Sequence, residues 1–411
     1  MEPPVSFQPF FENFGQAGAP HASAVNASAV EQLERQLRVP AELPGRGILV
    51  RAPRAGYGKT HLLEQVRQRL SNGHEFIPLR PLDGSKIDPK AAVEDALRRL
   101  TRQLPAGGGL TVLDLHARHL LAHGLQPLVL SGEVPCQDRE AAVEALRQRP
   151  VETFDFHHPQ AVTAHWTREN FEVLGPRLSL EVSRTTGCSL NQVAFWLAAL
   201  FRFSVAAPEH PGRTGMLMQN AVDGADAERF GTLLALLSRF HRVAMVVDDL
   251  EGVHSDPDGA RRVAGFLATI RQEAPRVDIV VSINDDVWES AFVPALSGGL
   301  RDRLSELTIR LDGLSDEAII SLLDSRPGVD GRAMLGRLNL APGDRYARRV
   351  LRLAADAMPT PVAETPEVER SPEQPPKAES APPSPAKPID LPKERPHSEG
   401  KEVEEVFRQL G

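Results

Sequence analysis

An apolar run, Gly47-Ile48-Leu49-Val50, passes through Arg51-Ala52-Pro53-Arg54-Ala55 into Gly56-Tyr57-Gly58-Lys59-Thr60-His61, and helical spacing of Leu62, Leu63, Val66 and Leu70 follows at once. Strand, glycine-containing loop, then helix is the context a phosphate-binding loop requires. In such a loop the backbone N–H groups and the helix N-terminus face the anion, and the helix dipole favours its negative charge. The candidate phosphate- and nucleotide-contacting residues are therefore Gly56, Tyr57, Gly58, Lys59, Thr60 and His61. Lys59 reaches terminal phosphates, and the Thr60 hydroxyl is a candidate magnesium ligand. One position departs from the G-x-x-x-x-G-K-[ST] pattern: Pro53 stands where the first glycine belongs.

A second signal lies far downstream. Residues 243–247 are continuously apolar and end in Asp248-Asp249, as a parallel strand buried on both faces would. Ligands of open α/β sheets bind at the carboxyl ends of strands. Asp248 is placed to share the magnesium with Thr60, and Asp249 to polarise an attacking water. The next apolar run, 277–283, ends at Asn284, whose amide suits the same water or a γ-phosphate; a turn-forming role for that residue is the rival. The arginines of the segment 300–304 are candidates to act on a neighbouring subunit's phosphate, with simple pairing to Asp302 or Glu306 as the alternative. Arg348 and Arg349 lie on a helix spanning 344–357, where one of the two is a candidate to touch phosphate, with a pair of ordinary surface arginines as the rival.

The spacing predicts helices over 29–39, 89–104, 258–271 and 315–325, and strands over 76–79 and 307–311. Between 105 and 240 helices are expected over 111–123, 138–148, 159–173, 189–203 and 226–240, with 127–130 a strand or turn. About 160 residues then separate the second and third core strands, far beyond an ordinary connection. A whole, mostly helical subdomain is inserted there. His116, His119 and His123 share a helical face within it, but without the Glu of a His-Glu-x-x-His helix or nearby cysteines they are expected as core or surface residues, not metal ligands.

The formal net charge of -8 and pI near 5.9 give no global basic footprint for nucleic acid. Two cysteines, Cys136 and Cys188, are too few for a disulfide framework or a zinc site and are expected as buried apolar residues of a reducing cytosol. No signal peptide and no membrane-spanning run are expected, so the chain is placed in the cytoplasm. Phe7, Phe10, Phe11 and Phe14 crowd the start, and packing on the main domain is favoured for them. Residues 359–411, rich in Pro, Glu, Lys and Ser, are expected to be a disordered tail. Its last stretch, 400–410, carries Val403, Val406, Phe407 and Leu410 on one helical face, a pattern that suits docking to a protein partner.

Taken in this order, the pieces resemble the AAA+ ATPases among the P-loop NTPases, nearest to origin-recognition initiators and STAND-like members. The resemblance covers about 40–105 and 240–358: a Walker A loop, a Walker B strand with Asp249 in place of the usual Glu, Asn284 as sensor 1, Arg303 as the arginine acting in trans, and Arg348 as sensor 2. It implies an α/β nucleotide-binding domain over 41–311 with a five-stranded parallel sheet and the insert, a helical lid over 312–358, the cofactors ATP and magnesium, and a homo-oligomer. ATP is favoured over GTP because no Asn-Lys-x-Asp occurs. Three activities are compatible with this resemblance: an assembly or remodelling ATPase that recruits a partner through its tail, a nucleotide-gated switch that scarcely hydrolyses, and a DNA-associated initiator, which the acidic balance disfavours.

Overall fold

In the computed structural model the described residues are Phe14, 22–71, 73–81, 86–104 and 109–358. The expected tail, its 400–410 motif, and Phe7, Phe10 and Phe11 lie outside them. Helix α1 (Ala27–Leu37) precedes β1 (Gly47–Ala52), α2 (Lys59–Leu70), β2 (His74–Leu79) and α3 (Pro89–Leu100). The insert supplies α4 (Val112–Ser131), α5 (Arg139–Gln148), α6 (Pro150–Thr153), α7 (Val162–Thr186), α8 (Leu190–Val205), α9 (Arg213–Val222) and α10 (Ala227–Leu237). The sheet resumes with β3 (Arg242–Val247), α11 (Pro257–Glu273) and β4 (Asp278–Asn284). Short helices α12 (Asp285–Val287) and α13 (Val293–Ala295) flank a π-helical turn, and α14 (Gly298–Leu304) leads to β5 (Leu307–Arg310). A last group, α15 (Asp316–Asp324), α16 (Gly331–Arg337) and α17 (Ala347–Ala357), completes the described chain.

All five strands are parallel, in the order β2-β3-β4-β1-β5. Because strand side chains alternate faces, Ile48, Val50 and Ala52 join Ala244, Val246 and Val280 under α1 and α2. Leu49 with Met245, Val247, Ile279 and Val281 faces the insert and α11 on the other side. Burial on both faces is why these strands are continuously apolar. The chain leaves β1 across β4 and β3 to reach β2, but leaves β4 across β1 to reach β5. These opposite departures put a topological switch point between β1 and β4, where open α/β sheets place their ligands.

Two buried ion pairs pin the frame. At the amino end of the sheet, Arg242 donates from Nε to Asp278 Oδ2 at 2.7 Å and from Nη2 to Oδ1 at 2.8 Å, and Arg46 N–H adds a third bond to the same carboxylate at 2.9 Å. In the insert, Arg213 pairs with Asp114, which also accepts from the Thr111 N–H and hydroxyl at the start of α4.

Several expectations need correction. The 127–130 segment is neither strand nor turn but the interior of α4. Leu120, Leu121, Leu125, Leu128 and Val129 are all buried, and that continuous apolar face outweighs the roughly 3 kcal/mol that an interior proline costs. The helix expected over 89–104 stops at Leu100, and the one expected over 159–173 runs on to Thr186. Cys188 is buried, but Cys136 is exposed. Phe14 packs on the domain, 6.3 Å from Phe76.

Candidate functional site

The carboxyl ends of β1, β3 and β4 converge at the switch point, with Ala52 level with Asn284. Gly56 and Gly58 take φ of +94° and +90°, while Tyr57 between them does not take positive φ. Left-handed backbone of this kind is what an anion-binding loop uses to bring successive N–H groups to one side. Pro53 is tolerated because the left-handed positions of the loop fall at 56 and 58, not at 53, where the fixed φ of proline is compatible. Gly58 caps α2 without a side-chain hydrogen bond, which leaves the first-turn N–H groups available to an anion.

Lys59 is buried at 7% exposure, yet its ammonium points into the site, donating to Asn284 Oδ1 and lying 3.7 Å from Glu251 Oε1. Asn284, itself 4% exposed, donates from Nδ2 to Glu251 Oε1 at 3.1 Å. Thr60 Oγ1 donates to Asp248 Oδ2 at 2.7 Å. A hydroxyl and a carboxylate in contact, both hard oxygen donors, form a set that fits magnesium. His61 follows in the first turn of α2, half-buried.

Asp249 is placed differently. Its backbone is left-handed, φ +62°, and its residue is exposed. Desolvation, then the neighbouring Asp248 and Glu251 carboxylates, push its carboxyl above the ordinary carboxylate range, against the pull of Arg80 and Lys59.

The terminal helices close the top of the loop. Arg348 N–H donates to Gly56 O at 3.1 Å. A methyl group at Gly56 would stand 2.7 Å from Arg348 Cβ, so only glycine fits there. Tyr57 stacks on Tyr346 at 5.1 Å between centroids with 2° between planes, and the Arg54 guanidinium lies over the Tyr346 ring, 5.1 Å from its centroid. Asn26 Nδ2 donates to Tyr57 O at 2.9 Å, and Ala22 and Val25 pack into the apolar centre of α15–α17. Arg349 instead pairs with Asp344 at 3.1 Å.

Arg303 is not brought to this cluster. It is exposed on α14, and its carbonyl would meet a Cβ at Gly47, so it sits at the amino end of β1. The strand has six residues, so Gly47 and Ala52 stand five steps apart, about 17 Å at the usual rise. Of the rivals for its charge, Glu306 pairs with Arg271 at 2.7 Å.

Sequence reasoning missed two groups. Glu251 lies in a 3-10 turn, Leu250–Val253, which no periodicity announced. Arg51 donates to Asp285 at 2.6 Å and to Glu289 at 2.8 Å beside Trp288; an arginine inside an otherwise apolar strand was its only signal. The α4 histidines meet aromatic partners: His116 lies 4.9 Å from His241, His119 lies 5.1 Å from Phe240 and His123 lies 6.4 Å from Phe240, while His123 also shares a hydrogen bond with Thr185. Among the described residues no group of three His, Cys, Asp or Glu could hold a metal ion, and no helix is long and apolar enough to cross a membrane. No protein-family model matches the chain, and no curated protein matches its sequence.

Proposed function

We propose that the chain is a cytosolic, magnesium-dependent ATP-binding and ATP-hydrolysing protein of the P-loop, AAA+-like kind. One observation carries this reading: Lys59, Thr60, Asp248 and Asn284, drawn from three separate segments, converge at the switch point of a parallel sheet beside a loop with left-handed backbone at Gly56 and Gly58. The loop amides and Lys59 bind the phosphates. Thr60 and Asp248 would hold magnesium, which would supply positive charge to offset that of the phosphates. Asn284 orients the γ-phosphate end of the site, and Arg348 reports the state of the loop to the lid helices. Arg303, remote from its own site, acts on that of a second copy. Catalysis of this kind is positioning plus charge stabilisation. The partner, recruited through the tail, is remodelled or assembled at the expense of ATP.

Lys59→Ala removes the ammonium at the centre of the cluster. It is expected to abolish ATP binding measured by calorimetry, and with it turnover. Unchanged affinity and rate in that variant would refute the site.

A second reading, a nucleotide-gated switch with little hydrolysis, is favoured by the lid contacts. The Tyr57–Tyr346 stack and the Arg348–Gly56 bond are made by the loop itself, so occupancy of the loop bears directly on the lid. Negligible turnover with tight ATP binding would select it.

A further inference from the structure

If the nucleotide reading above holds, the site must present one carboxylate to the water that attacks the γ-phosphate. The family resemblance gives that task to Asp249, which follows Asp248 directly. The geometry points to another residue. We propose that Glu251 is the general base of ATP hydrolysis.

Three observations carry the assignment. Glu251 Oε1 accepts from Asn284 Nδ2 at 3.1 Å and lies 3.7 Å from Lys59 Nζ. Asn284 Oδ1 accepts from the same ammonium. Glu251, Asn284 and Lys59 thus form a closed triangle of polar groups around the point where Lys59 meets a terminal phosphate. Asp249, by contrast, is given no hydrogen bond or ion pair among the described residues, and neither Lys59 nor Asn284 pairs with it.

The backbone explains the exchange of places. Left-handed φ at Asp249 turns the chain sharply at the end of β3. The 3-10 turn that follows buries Leu250 and Val253, which anchors it and swings the intervening Glu251 back over the end of β4. Glutamate is one methylene longer than aspartate, and that length lets it reach Asn284 from the turn.

The step balances with ATP and water alone. A water held by Glu251 and the Asn284 amide forms an O–P bond to the γ-phosphorus. The bond from that phosphorus to the β,γ-bridging oxygen breaks, and ADP leaves with its electron pair. The proton shed by the water passes to the Glu251 carboxylate and is returned to solvent as inorganic phosphate departs. Lys59, released from Asn284 and Glu251 by the incoming γ-phosphate, then neutralises the charge on that group.

The test uses the full chain as wild type, Glu251→Gln, Asp249→Asn and Lys59→Ala. Two quantities are read for each: the ATP dissociation constant by titration calorimetry, and turnover at saturating ATP and magnesium. Glu251→Gln is isosteric and solvent-accessible. It is expected to bind ATP within about threefold of wild type and to lose about 10²–10⁴ in kcat, the usual worth of a general base. Asp249→Asn is expected to turn over at least about tenfold faster than Glu251→Gln. Retained binding shows that the glutamine variant is folded and that the loss lies in the chemical step.

Turnover by Glu251→Gln at the wild-type rate, or a silent Asp249→Asn beside an active Glu251→Gln, would overturn the assignment while leaving the nucleotide site intact. Tight ATP binding by wild type without turnover would do the same. Failure of the wild type to bind ATP, or binding that Lys59→Ala does not disturb, would overturn the assignment together with the nucleotide reading on which it rests.

Discussion

His116 offers a quantitative test of how the insert is seated on the sheet. It is 1% exposed on α4, and neither ring nitrogen has a hydrogen-bond partner. Burial, then the nearby His241 and His119, hold its pKa well below the ordinary 6.5. The unfolded chain therefore takes up this proton while the folded chain refuses it. Stability from this group is complete above the unfolded pKa and falls as pH drops from about 6.5 toward the folded-state value. With the folded form neutral throughout, one such group removes about 1.4 kcal/mol between pH 7.5 and 5.5. His119, His123 and His241 are shifted in the same direction, each chiefly by burial, so the wild type loses more than this in total. The substitution His116→Phe keeps a ring in the same space and deletes one proton site. Urea denaturation of both proteins at pH 7.5 and 5.5 gives the comparison, in which the change with pH matters and any constant offset from repacking does not. The variant is expected to lose about 1.4 kcal/mol less than wild type over this interval. Equal losses in the two proteins would mean that His116 titrates normally in the fold, and would refute the account of its burial.

Two other perturbations test the frame and the lid. Arg242→Met leaves Asp278, which is fully buried, without its charge partner; it is expected to cost about 3–5 kcal/mol in urea denaturation, and Arg242→Met with Asp278→Leu is expected to recover most of it. A double variant as unstable as the single one would show that the ion pair itself, not the orphaned charge, is what matters. Tyr346→Ala removes the stack on Tyr57, worth about 0.5–1.5 kcal/mol beyond burial. It is expected to speed hydrogen exchange at the Arg348 amide by up to about tenfold, and protection equal to wild type would show that the stack does not hold the lid.

The legible parts of this chain were those in which one physical demand acts over consecutive residues. Burial on two faces writes itself as the apolar runs of β1, β3 and β4. The loop motif and the polar residues that end two apolar runs picked out Lys59, Thr60, Asp248 and Asn284, which the fold brings into contact. What could not be read depends on partners distant in sequence. Arg242 and Asp278 meet only because β3 and β4 are adjacent, and nothing local separates them from surface charges. The helix through Pro127 exists because its apolar face continues into the core, which overrides a local rule. Glu251 was passed over because its reach depends on one left-handed residue, Asp249; aspartate takes that conformation more readily than most residues, but nothing local marks this aspartate out from its neighbour Asp248. The five-stranded parallel sheet and the helical insert were thus foreseen, whereas the strand order and the internal wiring of the site were not.

That wiring has a consequence for how the loop meets an anion. A peptide unit is planar and trans, so fixing one carbonyl fixes the direction of the next N–H. Gly56 O is held by the Arg348 N–H and Tyr57 O by the Asn26 amide. These two bonds come from opposite ends of the described chain, and together they set the directions of the Tyr57 and Gly58 N–H groups. With the carbonyls committed to the terminal helix and to the segment before α1, the amides of the same peptide units turn to the other side. The loop is therefore polarised from outside. Displacing either support frees a carbonyl to rotate inward, where its partial negative charge would oppose a phosphate. If the loop takes a phosphate as proposed, the two contacts that tie it to the terminal helix and to the segment before α1 also orient it for that ligand, through the peptide planes on either side of Tyr57.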